Sequence, residues 1–308
     1  MPETTGDRLV RGDKGKWLDA LAGLFGAVVG GFYRIPGTRP IKDILHGTWV
    51  LRHPLHPAVT DAVVGGYTAV AALDIVYLFQ RDADLWKATD IALGVSLAFA
   101  IVSVLSGYTD WNDTFGNERR LGILHGSVMS LITIGYGVSL WIRLNAYPAP
   151  PGARDPAVYL ALVLYALVAI FAHLGGEMAF GYGTGVNRQA WADIPPKWQK
   201  LSVAAAALED RKPVRSQLKN GFAVMIAKID DEISAMGAVC THAGGPLDEG
   251  EFVGGDRRDI KCPWHASVFS VRTGAALHGP ATMDEPTFET RVAADGTVEV
   301  RSRVPAAH

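Results

Sequence analysis

The sequence predicts two unlike parts: an all-α transmembrane four-helix bundle followed by a small all-β domain. Three observations carry that expectation. Four apolar runs lie between residues 58 and 177, each near the ~20 residues a helix needs to cross a bilayer. Beyond residue 212 the pattern changes to short strand-like segments punctuated by turn residues. The chain's 2 cysteines both fall in that second region, each followed closely by a histidine.

At 308 residues the chain is long enough for two domains. A formal net charge of −2 does not point to nucleic acid as a partner, and the hydrophobic share of 49% averages two unlike halves. The expected divisions are a cytoplasmic N-terminal segment with an interfacial helix over 1–57, the transmembrane domain over 58–180, a linker over 181–211 and the β domain over 212–303.

In the N-terminal segment, Trp17 to Tyr33 carries Leu18, Leu21, Leu24, Phe25, Val28 and Phe32. The run is short and glycine-rich, which suits an interfacial or buried helix better than a fifth span. The spans proper are Ala58 to Gln80, Ala88 to Gly107, Leu121 to Ile142 and Ala157 to Gly176. A soluble bundle would show amphipathic stripes, whereas these runs are apolar all round. The first is unusual in holding Asp61 and Asp74. Gly65, Gly66, Gly135 and Gly137 permit close helix packing.

Lys and Arg crowd the segment before the first span, the loop after the second (Arg119, Arg120) and the stretch after the fourth (Arg188, Lys197, Lys200). The opposite loops hold only Arg81 and Lys87, then Arg143 and Arg154. The positive-inside rule then puts both termini and the β domain in the cytoplasm, on a multi-pass protein of the cell membrane. The linker carries Pro195 and Pro196, which stiffen it, and Trp191 and Trp198, which suit a membrane surface.

In the β domain, Phe222 to Ala227 reads as a strand, Asp230-Asp231 as a turn and Glu232 to Met236 as the next strand. Thr290 to Val292, Asp295-Gly296 and Val298 to Val300 read as a closing hairpin. Between them stand Cys240-Thr241-His242 and Cys262-Pro263-Trp264-His265, that is C-x-H and C-x-x-H with 19 residues between. Two thiolates and two imidazoles suit either an iron–sulfur centre of mixed ligation or tetrahedral zinc. Zinc motifs usually pair like ligands, whereas each half here carries one of each kind. Gly244 and Gly245 follow the first pair, where backbone must approach inorganic sulfide.

The stretches CTHAGGPL and CPWH-x-S-x-F closely resemble the Rieske family, over about residues 212 to 303. The resemblance implies an all-β Rieske iron–sulfur domain with two cluster loops and a third, proline-containing loop, here Gly279-Pro280-Ala281. It implies a Rieske-type [2Fe–2S] cluster with Cys240 and Cys262 on one iron and His242 and His265 on the other. Respiratory members follow the second His with Gly-Ser-x-Tyr, whose two hydroxyls donate to cluster sulfurs. This chain keeps Ser267 but has Phe269 in place of the Tyr, and it has no cysteine left for their additional disulfide. A potential below the high respiratory range is expected. Taken alone, Ser267 also fits an ordinary turn serine.

A second resemblance starts at Arg52-His53-Pro54-Leu55-His56-Pro57 and takes in Ser106 to Trp111, His125 and His173-Leu174-Gly175-Gly176. It is to a bacterial four-helix membrane domain of unknown function that opens with HPLHP, over about residues 45 to 190. It implies a fold and no activity. On the expected topology His53, His56, His125, His173 and Asp110 share one leaflet. Three readings fit: a quinone headgroup site at His56, His125 and His173, axial ligands for haem b, or hydrogen bonds that tie helix ends. His46 and His278 fit no ligand pattern and read as surface or cap residues.

The expected function is a membrane-anchored Rieske electron-transfer protein surrounded by lipid. It would link a cytoplasmic redox partner, such as a succinate-dehydrogenase-type enzyme, to the quinone pool. It reads as an electron-transfer subunit rather than a complete enzyme, since it shows neither a flavin or nucleotide motif nor a mononuclear-iron set. The alternatives are a membrane-tethered ferredoxin component of an oxygenase system and a redox sensor.

Overall fold

The computed structural model describes residues 4–82, 84–146 and 152–303. The chain forms two compact units. One runs to Leu45 and resumes over Leu55–Thr184; the other joins His46–Pro54 to the chain from Gly185 onward.

The first unit is helical. A short α1 (Thr5–Val10), capped by the Thr4 hydroxyl accepting from the Asp7 amide at 3.1 Å, precedes α2 (Lys16–Tyr33) and α3 (Arg39–His46). Four long helices follow: α4 (Leu55–Gln80), α5 (Asp84–Asn112), α6 (Gly116–Asn145) and α7 (Asp155–Glu177). Each expected span lies inside one of them, and all four are long and apolar enough to cross a membrane. Helices form here because apolar, unbranched and small residues fill them, and because in lipid only a helix satisfies its own backbone. Their outward faces carry Phe79, Ile91, Ile101, Leu131, Val163 and Ile170, all exposed large apolar side chains.

Inside, the packing is close. A Cβ at Gly66 would sit 2.0 Å from Ser96 Oγ, and one at Gly135 would sit 2.9 Å from Leu164 Cδ1, so these two glycines set the α4–α5 and α6–α7 approaches. Gly65 and Gly137 face open space instead. Tyr67 and Tyr136 stack at the centre with ring centroids 3.9 Å apart. Asp74, the odd charge in the first span, is held by Arg143 of α6 through bonds of 2.8 and 2.5 Å, with both side chains buried. That pairing is how a charge is tolerated at depth. Helix α2 buries Leu18 and Ala22 against Trp111 and Leu121, and leaves Trp17, Leu24, Val28 and Phe32 exposed. One packed side and one bare apolar side fit an interfacial helix.

The second unit is two antiparallel sheets. The larger runs in the order β1-β10-β9-β4-β3-β2 and the smaller β5-β6-β7-β8. In chain order they are β1 (Gln199–Ala204), β2 (Val214–Gln217), β3 (Ala223–Ile229), β4 (Glu232–Gly237), β5 (Glu251–Val253), β6 (Asp259–Lys261), β7 (Val268–Ser270), β8 (Ala276–His278), β9 (Thr287–Val292) and β10 (Thr297–Ser302). Strand β3 is buried on both faces, which is why it reads as a continuous apolar run. Val224 and Ile226 enter one core with Phe288, Val298 and Val300, while Met225 and Ala227 enter another with Cys240, Cys262 and Phe269. The second core ties the small sheet to the large one.

Two boundaries differ from the expected ones. Strand β1 lies within the stretch expected to be linker, and pairs with β10 as an edge strand. It is short, with Leu201 its one buried residue, so the alternation is too brief to stand out. Segment 46–54, expected to belong to the N-terminal arm, packs as part of the β unit, and His46 is buried rather than at the surface. The Trp198 ring is covered by the guanidinium groups of Arg291 at 4.2 Å and Arg301 at 4.9 Å. Trp191 is 83% exposed.

Candidate functional site

The two Cys–His loops are built alike. The first leaves β4 and the second joins β6 to β7. In the first, the Cys240 amide donates to Gly245 O at 2.8 Å and the Gly244 amide donates back to Cys240 O at 2.9 Å. In the second, the Cys262 amide donates to Ser267 O at 2.8 Å and the Ala266 amide donates back to Cys262 O at 3.1 Å. Each loop thus closes between a cysteine and the fifth residue on, and each needs a left-handed residue at the fourth: Gly244 at φ +85° and Ala266 at φ +61°.

This geometry brings the four expected ligands together. Both cysteines are buried and free of disulfide, and the His242 and His265 rings meet edge to face with centroids 5.0 Å apart. A hydrogen bond from Cys240, together with the amides of Trp264 and His265 aimed at its sulfur, holds the Cys262 thiol down to about 7. That same hydrogen bond between the two sulfurs, together with burial, pushes the Cys240 thiol well up. Backbone donors converging on sulfur are what a thiolate ligand or a sulfide needs. Gly245 makes the cradle, since a Cβ there would lie 2.7 Å from Cys262 Sγ. Among the described residues no three His, Cys, Asp or Glu side chains converge as on one ion. The two cysteine side chains meet each other and the two imidazole rings meet each other, a pairing of like ligands that suits two irons better than a single zinc.

The third loop follows β8. Gly279, at φ +87°, leaves no room for a side chain: a Cβ would be 2.8 Å from Ser267 Cα. The Ala281 amide donates to Ser267 Oγ at 3.1 Å, which leaves the hydroxyl hydrogen of this fully buried serine to point elsewhere. Phe269 is fully buried in the core that contains both cysteines.

Several supports carried no signal in the sequence. Glu285 is buried and accepts from the Thr241 amide at 2.6 Å; burial pushes its carboxyl well above the usual range. Gln189 donates to Val239 O at 2.6 Å, and the Arg188 amide donates to Thr241 O at 3.0 Å, so the stretch expected as linker braces the first loop. These are contacts to backbone, which any polar residue could make.

Within the helical unit, His56 Nδ1 lies 2.8 Å from Ser103 O and His125 Nδ1 lies 3.1 Å from Phe171 O. Each ring thus ties its helix to a neighbour. His173 is different: its side chain is 65% exposed and pairs with Glu177 at 3.1 Å. Glu177 also accepts from the Gly6 amide at 2.6 Å, which anchors α1.

Comparison with known proteins agrees with this architecture. A family model described as the Rieske [2Fe-2S] domain matches residues 197–289. Another, described as a predicted membrane protein (DUF2231), matches residues 52–188. The anthranilate 1,2-dioxygenase ferredoxin subunit of Burkholderia cepacia is 32% identical over 104 residues, covering 34% of this chain and 91% of that protein. The ferredoxin component of the naphthalene 1,2-dioxygenase system of Pseudomonas putida is 31% identical over 98 residues, 31% of this chain and 88% of that one. Among solved structures, the ferredoxin of carbazole 1,9a-dioxygenase from Nocardioides aromaticivorans aligns at 25% identity and a TM-score of 0.31, over 34% of this chain and 97% of that one. The chain therefore belongs to the Rieske [2Fe–2S] family, its electron-transfer domain joined in one polypeptide to a multi-pass membrane domain of the DUF2231 kind.

Proposed function

We propose that this protein carries single electrons at the cytoplasmic face of the membrane, between a soluble redox protein and quinone in the bilayer. The observation that carries the reading is the union, in one chain, of the two Cys–His loops with four membrane-crossing helices. Cys240 and Cys262 would hold one iron of a [2Fe–2S] cluster, and His242 and His265 the other. Bound there, the cluster supplies a one-electron couple. The amides of Trp264 and His265 stabilise negative charge at Cys262, and the Ser267 hydroxyl would donate to a cluster sulfur. Trp264, 50% exposed beside His265, offers a protein partner an apolar contact next to an imidazole edge.

In the bundle, His56 and His125 frame the quinone headgroup and exchange protons with it, with His173 near the same helix end. The Lys and Arg bias of the loops supports the cytoplasmic orientation, and a dehydrogenase of the succinate-dehydrogenase type suits the role of donor. A second reading, supply of electrons to an oxygenase, is favoured by the relatives named above, which are ferredoxin components of dioxygenase systems.

One set of measurements tests both. Full-length protein in mild detergent is reduced chemically, then mixed with a lipophilic quinone while the electron paramagnetic resonance signal of mixed Cys/His ligation is followed. The expected result is rapid reoxidation that slows severalfold in His56→Leu and His125→Leu, with the signal itself unchanged. Reoxidation by an oxygenase component but not by quinone would select the second reading.

A further inference from the structure

We propose that Thr48, in the segment ahead of the first membrane helix, is a positioning residue of the cluster site, acting on Ser267 through the proline loop. Thr48 is 4% exposed, and its hydroxyl donates to Gly279 O at 2.6 Å and to Ala281 O at 3.2 Å. Both acceptors flank Pro280, so one donor clasps the two ends of the loop's central turn. The amide of the same Ala281 donates to Ser267 Oγ at 3.1 Å, and the carbonyl of Ser267 accepts from the Cys262 amide at 2.8 Å. A continuous path of hydrogen bonds therefore runs from Thr48 through the proline loop and Ser267 to the backbone of Cys262.

The physical consequence concerns direction. A serine hydroxyl rotates freely unless its lone pairs are fixed. The Ala281 amide fixes one lone pair, and so decides where the hydroxyl hydrogen points. That amide holds its place because the peptide on either side of Pro280 is clasped. The segment is secured a second time by the ion pair of Arg52 with Asp284, whose carboxylate also accepts from the Ala276 amide at 2.9 Å. Two attachments, one buried and one exposed, hold residues 48–52 along the stretch 276–284. None of the three cluster-loop motifs includes this segment, and it is separated from them in sequence by the whole transmembrane domain.

The inference rests on the reading that Ser267 donates to a cluster sulfur. The experiment is a redox titration of full-length, cluster-loaded protein in detergent, with iron content measured alongside. Ser267→Ala is expected to lower the midpoint potential. Thr48→Val, which keeps shape and removes the hydroxyl, is expected to lower it in the same direction, and Thr48→Ser to restore it. In the Ser267→Ala background, Thr48→Val is expected to add nothing, because its effect passes through that hydroxyl.

A lowered potential in Ser267→Ala with an unmoved one in loaded Thr48→Val overturns the role of Thr48 alone. An unmoved potential in Ser267→Ala overturns the serine reading and this inference with it. Thr48→Ala replaces Thr48→Val if the latter does not load. If neither loads while Thr48→Ser does, the hydroxyl is needed for the site and the proposal stands. If Thr48→Ser also fails to load, side-chain volume rather than the hydroxyl is what matters, and the proposal falls.

Discussion

Replacing Ala266 by glycine should stabilise the β unit, and the size of the gain follows from the two loops being copies of each other. Ala266 and Gly244 occupy the same place, four residues after a cysteine, with an amide donating to that cysteine's carbonyl. Both are left-handed, but only Ala266 carries a Cβ there, at φ +61°. An L-residue in that region costs about 1–2 kcal/mol. Glycine gives back roughly 0.5–1 kcal/mol through the greater freedom of its unfolded chain. Ala266 is exposed, so its methyl takes no packing with it. The net gain is about 0.5–1 kcal/mol. For a domain near 100 residues, each kcal/mol moves the thermal midpoint by about 4–8 °C, so Ala266→Gly should raise it by about 2–8 °C. The assay is bleaching of the cluster's visible absorption on heating, which reports the β unit alone, at one fixed scan rate because such losses are often irreversible. Gly244→Ala should shift the midpoint the opposite way. An unmoved or lowered midpoint in Ala266→Gly would show that no strain is held at this residue.

Three further outcomes are expected. Phe269→Tyr should raise the midpoint potential by about 40 mV if its new hydroxyl reaches a sulfur, taking ~1 kcal/mol for the bond and 59 mV per tenfold for one electron; an unchanged redox titration would mean the side chain does not face the cluster. Arg143→Met strands the Asp74 carboxylate in the bundle and should cost about 3–5 kcal/mol, seen as early thermal aggregation in detergent, with much of the loss recovered in the Asp74→Leu, Arg143→Met double variant. Glu285→Gln should flatten the pH dependence of the β unit's stability. Burial raises the folded carboxyl well above its unfolded value of 4.5, so the wild type holds its full contribution below that pH and loses it as pH rises toward the folded value. A parallel decline in the glutamine variant would assign the pH dependence to another group.

What the sequence made legible, and what it did not, divides by the range of the interaction. The four spans were readable because lipid demands apolar residues on every face, and that requirement is local to each run. The cluster loops were readable because a metal accepts few residue types at fixed spacing. Asp74 stood out as a charge in an apolar run, yet Arg143, 69 residues away, could not be assigned to it, since pairing at that distance leaves no local pattern. Thr48, Gln189 and Glu285 were invisible for a related reason: each binds a backbone amide or carbonyl, and backbone groups are the same at every position. Strand β1 was missed because one buried leucine does not make an alternation.

The clasp on the proline loop also sets a timetable. Thr48 and Gly279 are 231 residues apart. With synthesis proceeding at about 5–20 residues per second, Thr48 leaves the ribosome roughly 12–46 s before its acceptors exist. In that interval all four membrane helices are made. The third loop is thus clasped by the meeting of one of the oldest stretches of the chain with one of the youngest, and nascent protein passes through a stage in which both cysteine loops have emerged while the third loop still lacks its clasp. A product missing its first 54 residues would keep both cysteine loops and every span, yet lack the clasp on the third loop.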